Sequence, residues 1–133
     1  MSAPSIPAFS AGMGWIPHSP SEARMTIAQT PAPPYYAVIF TSTRTDGDNG
    51  YEKMAQAMFD LASKQPGFLG FESAREDLGV TVSYWDSPES IAAWQRNSSH
   101  LVAQQRGRAE WYQAFKVRVC RVERDYAFDR TDN

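Results

Sequence analysis

Apolar and polar positions fall into a regular pattern from Tyr35 onward. The stretch Tyr35 to Thr43 reads Tyr-Tyr-Ala-Val-Ile-Phe-Thr-Ser-Thr, β-branched and aromatic throughout, and stops at Asp46-Gly47-Asp48. That predicts a strand closed by a turn. From Gly50 to Lys64 the period lengthens. Tyr51, Met54, Ala55, Met58, Leu61 and Ala62 recur at helical spacing, with Glu52, Lys53, Gln56, Asp60 and Ser63 largely opposite. Asn49 with Glu52 predicts a capping box, and Pro66-Gly67 ends the helix.

Phe68 to Arg75 and Val80 to Trp85 read as two strands joined by Glu76-Asp77-Leu78-Gly79, a connection short enough for a hairpin. Asp86-Ser87-Pro88-Glu89 then predicts a helix start: Ser87 caps, Pro88 takes the first position, and Glu89 favours the positive end. The helix runs to about Arg108, with a break expected at Asn97-Ser98-Ser99. Trp111 or Tyr112 to Glu123 alternates as a last strand, with Phe115, Val117 and Val119 on one face, and a charged tail (residues 126–133) follows. The order is βαββαβ, an α+β ferredoxin-like fold with a four-stranded antiparallel sheet, over residues 35–125.

Both faces of these strands are apolar. Tyr36, Val38 and Phe40 point one way, and Tyr35, Ala37 and Ile39 the other; Val80, Val82 and Tyr84 oppose Trp85. Two helices cover one face only, so a homodimer with sheets packed face to face is expected to cover the second. Arg75 and Arg118 are expected on that second face, paired with Glu72 or Glu123.

Residues 1–34 differ in kind. They hold seven of the nine prolines, with serines and alanines and no hydrophobic period, which predicts a flexible arm. They lack the basic start and apolar run of a secretory signal, and Met25 offers an alternative start. The net charge of −2 gives no basic surface for nucleic acid or an anionic membrane, and no apolar run approaches the roughly 20 residues of a membrane span. The single cysteine, Cys120, makes no internal disulfide, which points to the cytoplasm.

Gln65-Pro66-Gly67-Phe68-Leu69-Gly70-Phe71-Glu72-Ser73 resembles the Pro-Gly-Phe turn that opens the second strand of antibiotic biosynthesis monooxygenase domains. Ser83-Tyr84-Trp85-Asp86-Ser87-Pro88-Glu89-Ser90-Ile91 is similar to the strand-to-helix passage of that family. Trp94, His100 and Trp111-Tyr112 resemble its helix leading into the last strand. The resemblance implies a dimeric α/β barrel with one pocket per subunit between sheet and helices. It also implies either a monooxygenase (oxidoreductase) that oxidises small aromatic or quinone-like compounds without a cofactor, or a relative that degrades haem. The haem-degrading subgroup pairs its helix histidine with a tryptophan and a first-strand asparagine. Here Tyr35 to Thr43 has no asparagine and Trp94 lies only six positions before His100, which argues against haem.

His100 is the candidate catalytic base. On a continuous helix it shares a stripe with Gln104, Gly107 and Trp111, and a histidine there would take a proton from a bound phenol. A structural or surface histidine is the alternative. Trp94, Tyr84 and Trp111 are candidate pocket walls, and Asn97 and Gln104 candidate polar contacts to a substrate. Core packing explains Trp85 and Trp111 equally well, and a helix break explains Asn97. No cysteine or carboxylate cluster has ligand spacing, and no phosphate loop or nucleophile elbow is present, so no cofactor or metal is expected. Two functions follow: a cofactor-independent oxygenase with a small hydrophobic substrate, or a small-molecule-binding or stress-response module that holds such a compound without turnover.

Overall fold

Alternating apolar residues in Tyr35–Arg44 form β1, and the helical period of Tyr51–Ser63 forms α1; β2 (Phe68–Arg75), β3 (Gly79–Trp85), α2 (Pro88–Gln105) and β4 (Tyr112–Val122) follow. The computed structural model describes residues 26–105 and 111–130. The sheet order is β2-β3-β1-β4 with every pairing antiparallel, an α+β ferredoxin-like fold. Among the described residues no helix is long and apolar enough to cross a membrane.

Register assigns the faces, since residues directly opposite in an antiparallel pair point the same way. Val38 pairs with Ser83 and Val119, and Phe40 with Thr81 and Val117; these face the helices together with Trp85. Ala37, Ile39, Val82, Tyr84, Cys120 and Arg118 occupy the outer face. On the helix side Tyr51, Met54, Met58, Trp85, Ile91, Trp94 and Trp111 form one buried cluster, and Phe59 packs on Phe71 with tilted rings, centroids 5.2 Å apart.

Arg75 departs from the expected face. Leu69 is an extra residue in β2, where the register shifts between Phe68 and Gly70. Because side chains alternate with a period of two, that bulge turns every later residue over. Arg75 therefore lies on the helix side, buried, with its guanidinium on the Ser42 hydroxyl and carbonyl. Gly79 makes the room: a Cβ there would come within 2.3 Å of the Arg75 guanidinium. The same bulge sets Glu72 on the outer face, bonded to Tyr84 rather than to an arginine.

Three local expectations are corrected or extended. Asn49 and Glu52 form no capping box. Gly50 is the N-cap of α1 in a left-handed conformation (φ 84°), and the Asp48 carboxylate accepts the Gly50 and Glu52 N–H groups at 2.9 and 3.2 Å. A carboxylate at this position also complements the positive helix end. Ser87 does cap α2, accepting the Ser90 N–H at 3.1 Å. That helix runs unbroken through Asn97-Ser98-Ser99, with the Ser98 hydroxyl donating to the Gln95 carbonyl one turn back.

Of the arm expected over residues 1–34, the first 25 lie outside the described residues. The remainder is held to the sheet: Ala28 N–H donates to Glu72 Oε2 at 3.0 Å, and Thr30 donates to the Tyr35 hydroxyl at 3.1 Å. Tyr35 in turn donates to the Asp125 carboxylate.

Candidate functional site

Between the helix face of the sheet and the two helices lies a cavity of about 390 Å³. That is at the lower end of the range for small-molecule pockets, roughly 300–1,000 Å³. Val38 and Phe40 of β1 supply its floor. Met54 and Met58, one turn apart on α1, close one side. Trp94, Gln95, Ser98 and Ser99 of α2 close another, and Tyr112, Phe115 and Val117 of β4 form the far wall.

Two aromatic groups face this space. Trp94 stacks on Trp85 with centroids 5.8 Å apart and planes 23° from parallel. Phe40, Tyr112 and Phe115 form the second group, with Phe40 5.4 Å from each of the other two. Phe115 and Val117 remain partly open, at 38% and 40% exposure, so the cavity is entered beside β4.

Polar groups in the lining are almost all hydroxyls. Thr81 and Ser83 are buried to 1% and 5% exposure on the core-facing side of β3, where apolar residues are the norm. Thr81 shares a hydrogen bond with Ser73 at 3.0 Å, and Ser83 accepts the Trp85 indole N–H at 2.9 Å. Among the described residues no lining side chain carries a formal charge at neutral pH. Tyr112 is the one phenol there, and burial, reinforced by the neighbouring Tyr51, holds it well above its ordinary ionisation range.

Of the residues singled out from sequence, Trp94 lines the cavity. Tyr84 does not: it is on the outer face, donating to Glu72 at 2.7 Å, because strand alternation sets it opposite Ser83 and Trp85. Trp111 is fully buried and structural, its indole N–H on the Asn49 carbonyl at 3.0 Å and its own carbonyl accepting from Thr45 and Arg44. Asn97 is exposed and donates to Gln65 at 2.9 Å. His100 is exposed and is not among the lining residues. The stripe of α2 that faces the cavity is Trp94-Gln95-Ser98-Ser99, and His100 lies about 100° further round the helix. The Gln104 side chain lies outside the described residues.

Sequence reasoning missed Thr81, Ser83, Ser98 and Ser99. The signal for the first two was present: hydroxyl residues at core-facing positions of β3, alternating with Val80, Val82 and Tyr84. Ser98 and Ser99 were hidden by reading a break where the helix continues.

Comparison with known proteins places this geometry. The sequence model of the family described as antibiotic biosynthesis monooxygenase matches residues 34–106. The chain is 47% identical over 109 residues to the uncharacterized protein YqjZ of Bacillus subtilis (strain 168), covering 80% of this chain and 96% of that protein. Among solved structures it is similar to PA3566 from Pseudomonas aeruginosa (TM-score 0.55, 18% identity, 71% of this chain and 98% of that chain). A chain from Nitrosomonas europaea is similar too (TM-score 0.52, 14% identity, 69% and 92% covered). At those identities the structural likeness speaks for the fold.

Proposed function

The chain belongs to the antibiotic biosynthesis monooxygenase family, and from that premise we propose that its cavity takes a small planar phenol or quinone-like compound and that the phenol is oxygenated there by dioxygen. The observation that carries the reading is the make-up of the lining: flat aromatic walls around hydroxyls, with no formal charge. Aromatic faces suit a planar ring, and hydroxyls suit its oxygen substituents without the cost of burying a charge.

The reaction balances on substrate and dioxygen alone. A ring carbon gains one oxygen atom, the second oxygen leaves as water, and the phenol becomes a quinone, supplying all four electrons. The lining holds no group that titrates near neutral pH, Tyr112 being kept protonated. The first proton is therefore assigned to the phenol's own acidity, and His100 has no part in the step. The same lack of a base favours a second reading, a module that holds the compound without turnover.

A homodimer through the outer face belongs to this proposal. The cross-strand row Glu72, Val82, Ile39, Arg118 carries an acid at the β2 edge, a base at the β4 edge and apolar residues between. A twofold axis parallel to the strands sets Glu72 of one copy over Arg118 of the other, twice.

Titrating the protein with hydroxynaphthalenes, following tryptophan fluorescence and oxygen consumption together, tests the reading. Saturable quenching with oxygen uptake supports the oxygenase, quenching without uptake supports the module, and no quenching contradicts both.

A further inference from the structure

Ser83 is the most enclosed hydroxyl of the cavity lining with an assigned acceptor role. Its Oγ takes the indole N–H of Trp85 at 2.9 Å, two residues on along the same face of β3. A serine hydroxyl has two lone pairs and one proton to give. Trp85 fills a lone pair, and among the described residues nothing accepts the proton, although Ser83 is only 5% exposed and lines the cavity. A buried hydroxyl proton without an acceptor is costly, and a hydroxyl already accepting a hydrogen bond is the stronger donor.

Resting on the reading of the cavity as a site for a planar aromatic compound, we propose that Ser83 is its specificity-determining donor, preset by Trp85 to hydrogen-bond a carbonyl or phenolate oxygen of the ligand. Three features support the assignment. Trp85 is rigid: fully buried and stacked against Trp94, it has no freedom to release Ser83. Trp94, the ring on which a ligand would lie, borders the same space, so a ligand plane and its oxygen are fixed from adjoining side chains. Thr81, the neighbouring buried hydroxyl, is already engaged with Ser73 and competes less for the oxygen. A ligand with an oxygen acceptor on its ring edge is thus preferred over the bare hydrocarbon of the same shape, which leaves the proton unsatisfied.

The test uses 9-fluorenone and fluorene, planar and alike except for the carbonyl. Affinity is read by tryptophan quenching, and the carbonyl stretch of bound fluorenone by infrared difference spectroscopy. The wild type is expected to bind fluorenone more tightly than fluorene, with the carbonyl band lowered from its position in hydrocarbon solvent. Ser83→Ala is expected to weaken fluorenone about fivefold, leave fluorene unchanged and return the band to its hydrocarbon position. Ser83→Thr and Ser83→Val, alike in shape and different in the hydroxyl, repeat the comparison if the alanine variant does not fold. Equal weakening of both probes would show that Ser83 only supports Trp85. An unshifted band in the wild type, or a shift that survives loss of the hydroxyl, would overturn the assignment while leaving the cavity reading intact. Failure of the wild type to bind either probe would remove the cavity reading and this inference with it.

Discussion

Trp85 and Trp94 stack with centroids 5.8 Å apart, joining the central strand β3 to helix α2 at the cavity wall. The same pair closes the core and shapes the site. Trp94→Ala is expected to cost about 3–5 kcal/mol, read as a lower urea midpoint at unchanged slope, since the existing cavity beside it prevents collapse. Trp94→Phe keeps a ring against Trp85 and should cost clearly less. Both variants should weaken aromatic ligands, the alanine more.

Gly67 ties the start of β2 to the start of α2. Its φ is +88°, and a Cβ would sit 2.2 Å from Ser90 Oγ and 2.3 Å from Asp86 Oδ1, the two groups bonded at the cap of α2. Gly67→Ala is expected to destabilise by about 2 kcal/mol or more by thermal unfolding, from left-handed backbone plus the clash. Gly50 has a similar φ of +84° and nothing within 4 Å, so Gly50→Ala should cost only the backbone part, about 1 kcal/mol. Equal losses at the two sites would contradict the close approach at Gly67.

Tyr84 and Tyr112 set the alkaline limit. Burial raises both phenols above the ordinary value of 10.0, helped at Tyr84 by the bond to Glu72 and at Tyr112 by Tyr51. A folded pKa above the unfolded one means the unfolded chain releases its protons first. The stabilisation is complete below about pH 10 and declines as pH rises through that range. Denaturant midpoints should therefore fall with rising pH above about 10, and Tyr112→Phe should flatten the fall, with its tyrosinate signal missing from the ultraviolet titration.

The outer face gives a fourth expectation. Light scattering should report a dimer for the wild type and a monomer for Ile39→Asp, which places a charge in the apolar middle of the row from Glu72 to Arg118. Arg118→Glu, facing Glu72 of the other copy, should weaken the dimer and reverse its salt dependence, so that added salt favours association. A monomeric wild type would contradict this arrangement.

Much of the fold was legible because its signals are local. Pro88 after Ser87 marks the start of α2, Pro66-Gly67 the end of α1, and the alternation in Tyr35 to Arg44 the two-faced strand β1. What sequence periodicity could not carry was phase. The single extra residue Leu69 reverses the later half of β2 and moves Arg75 from the outer face into the helix side. On α2 the stripe through Trp94 was legible, but which side of it met the cavity depended on the packing of that helix against α1 and the sheet. His100 and Ser99 are neighbours in sequence, and only Ser99 lines the space. Tyr84 shows the reverse case: its aromatic character suits a pocket wall, but alternation along β3 places it opposite Trp85, on the outer face.

The proposed planar aromatic ligand would occupy the space beneath the helices. Met54 and Met58 both line that space, so their ε-methyl groups report directly on a ring placed between them and the sheet. In protein carrying carbon-13 methionine methyls, titration with 9-fluorenone should move the Met54 and Met58 resonances saturably, with upfield ring-current shifts, in step with the quenching of tryptophan fluorescence. Resonances of Met54 and Met58 that stay in place while fluorenone binds would put the ligand elsewhere on the molecule and contradict the account.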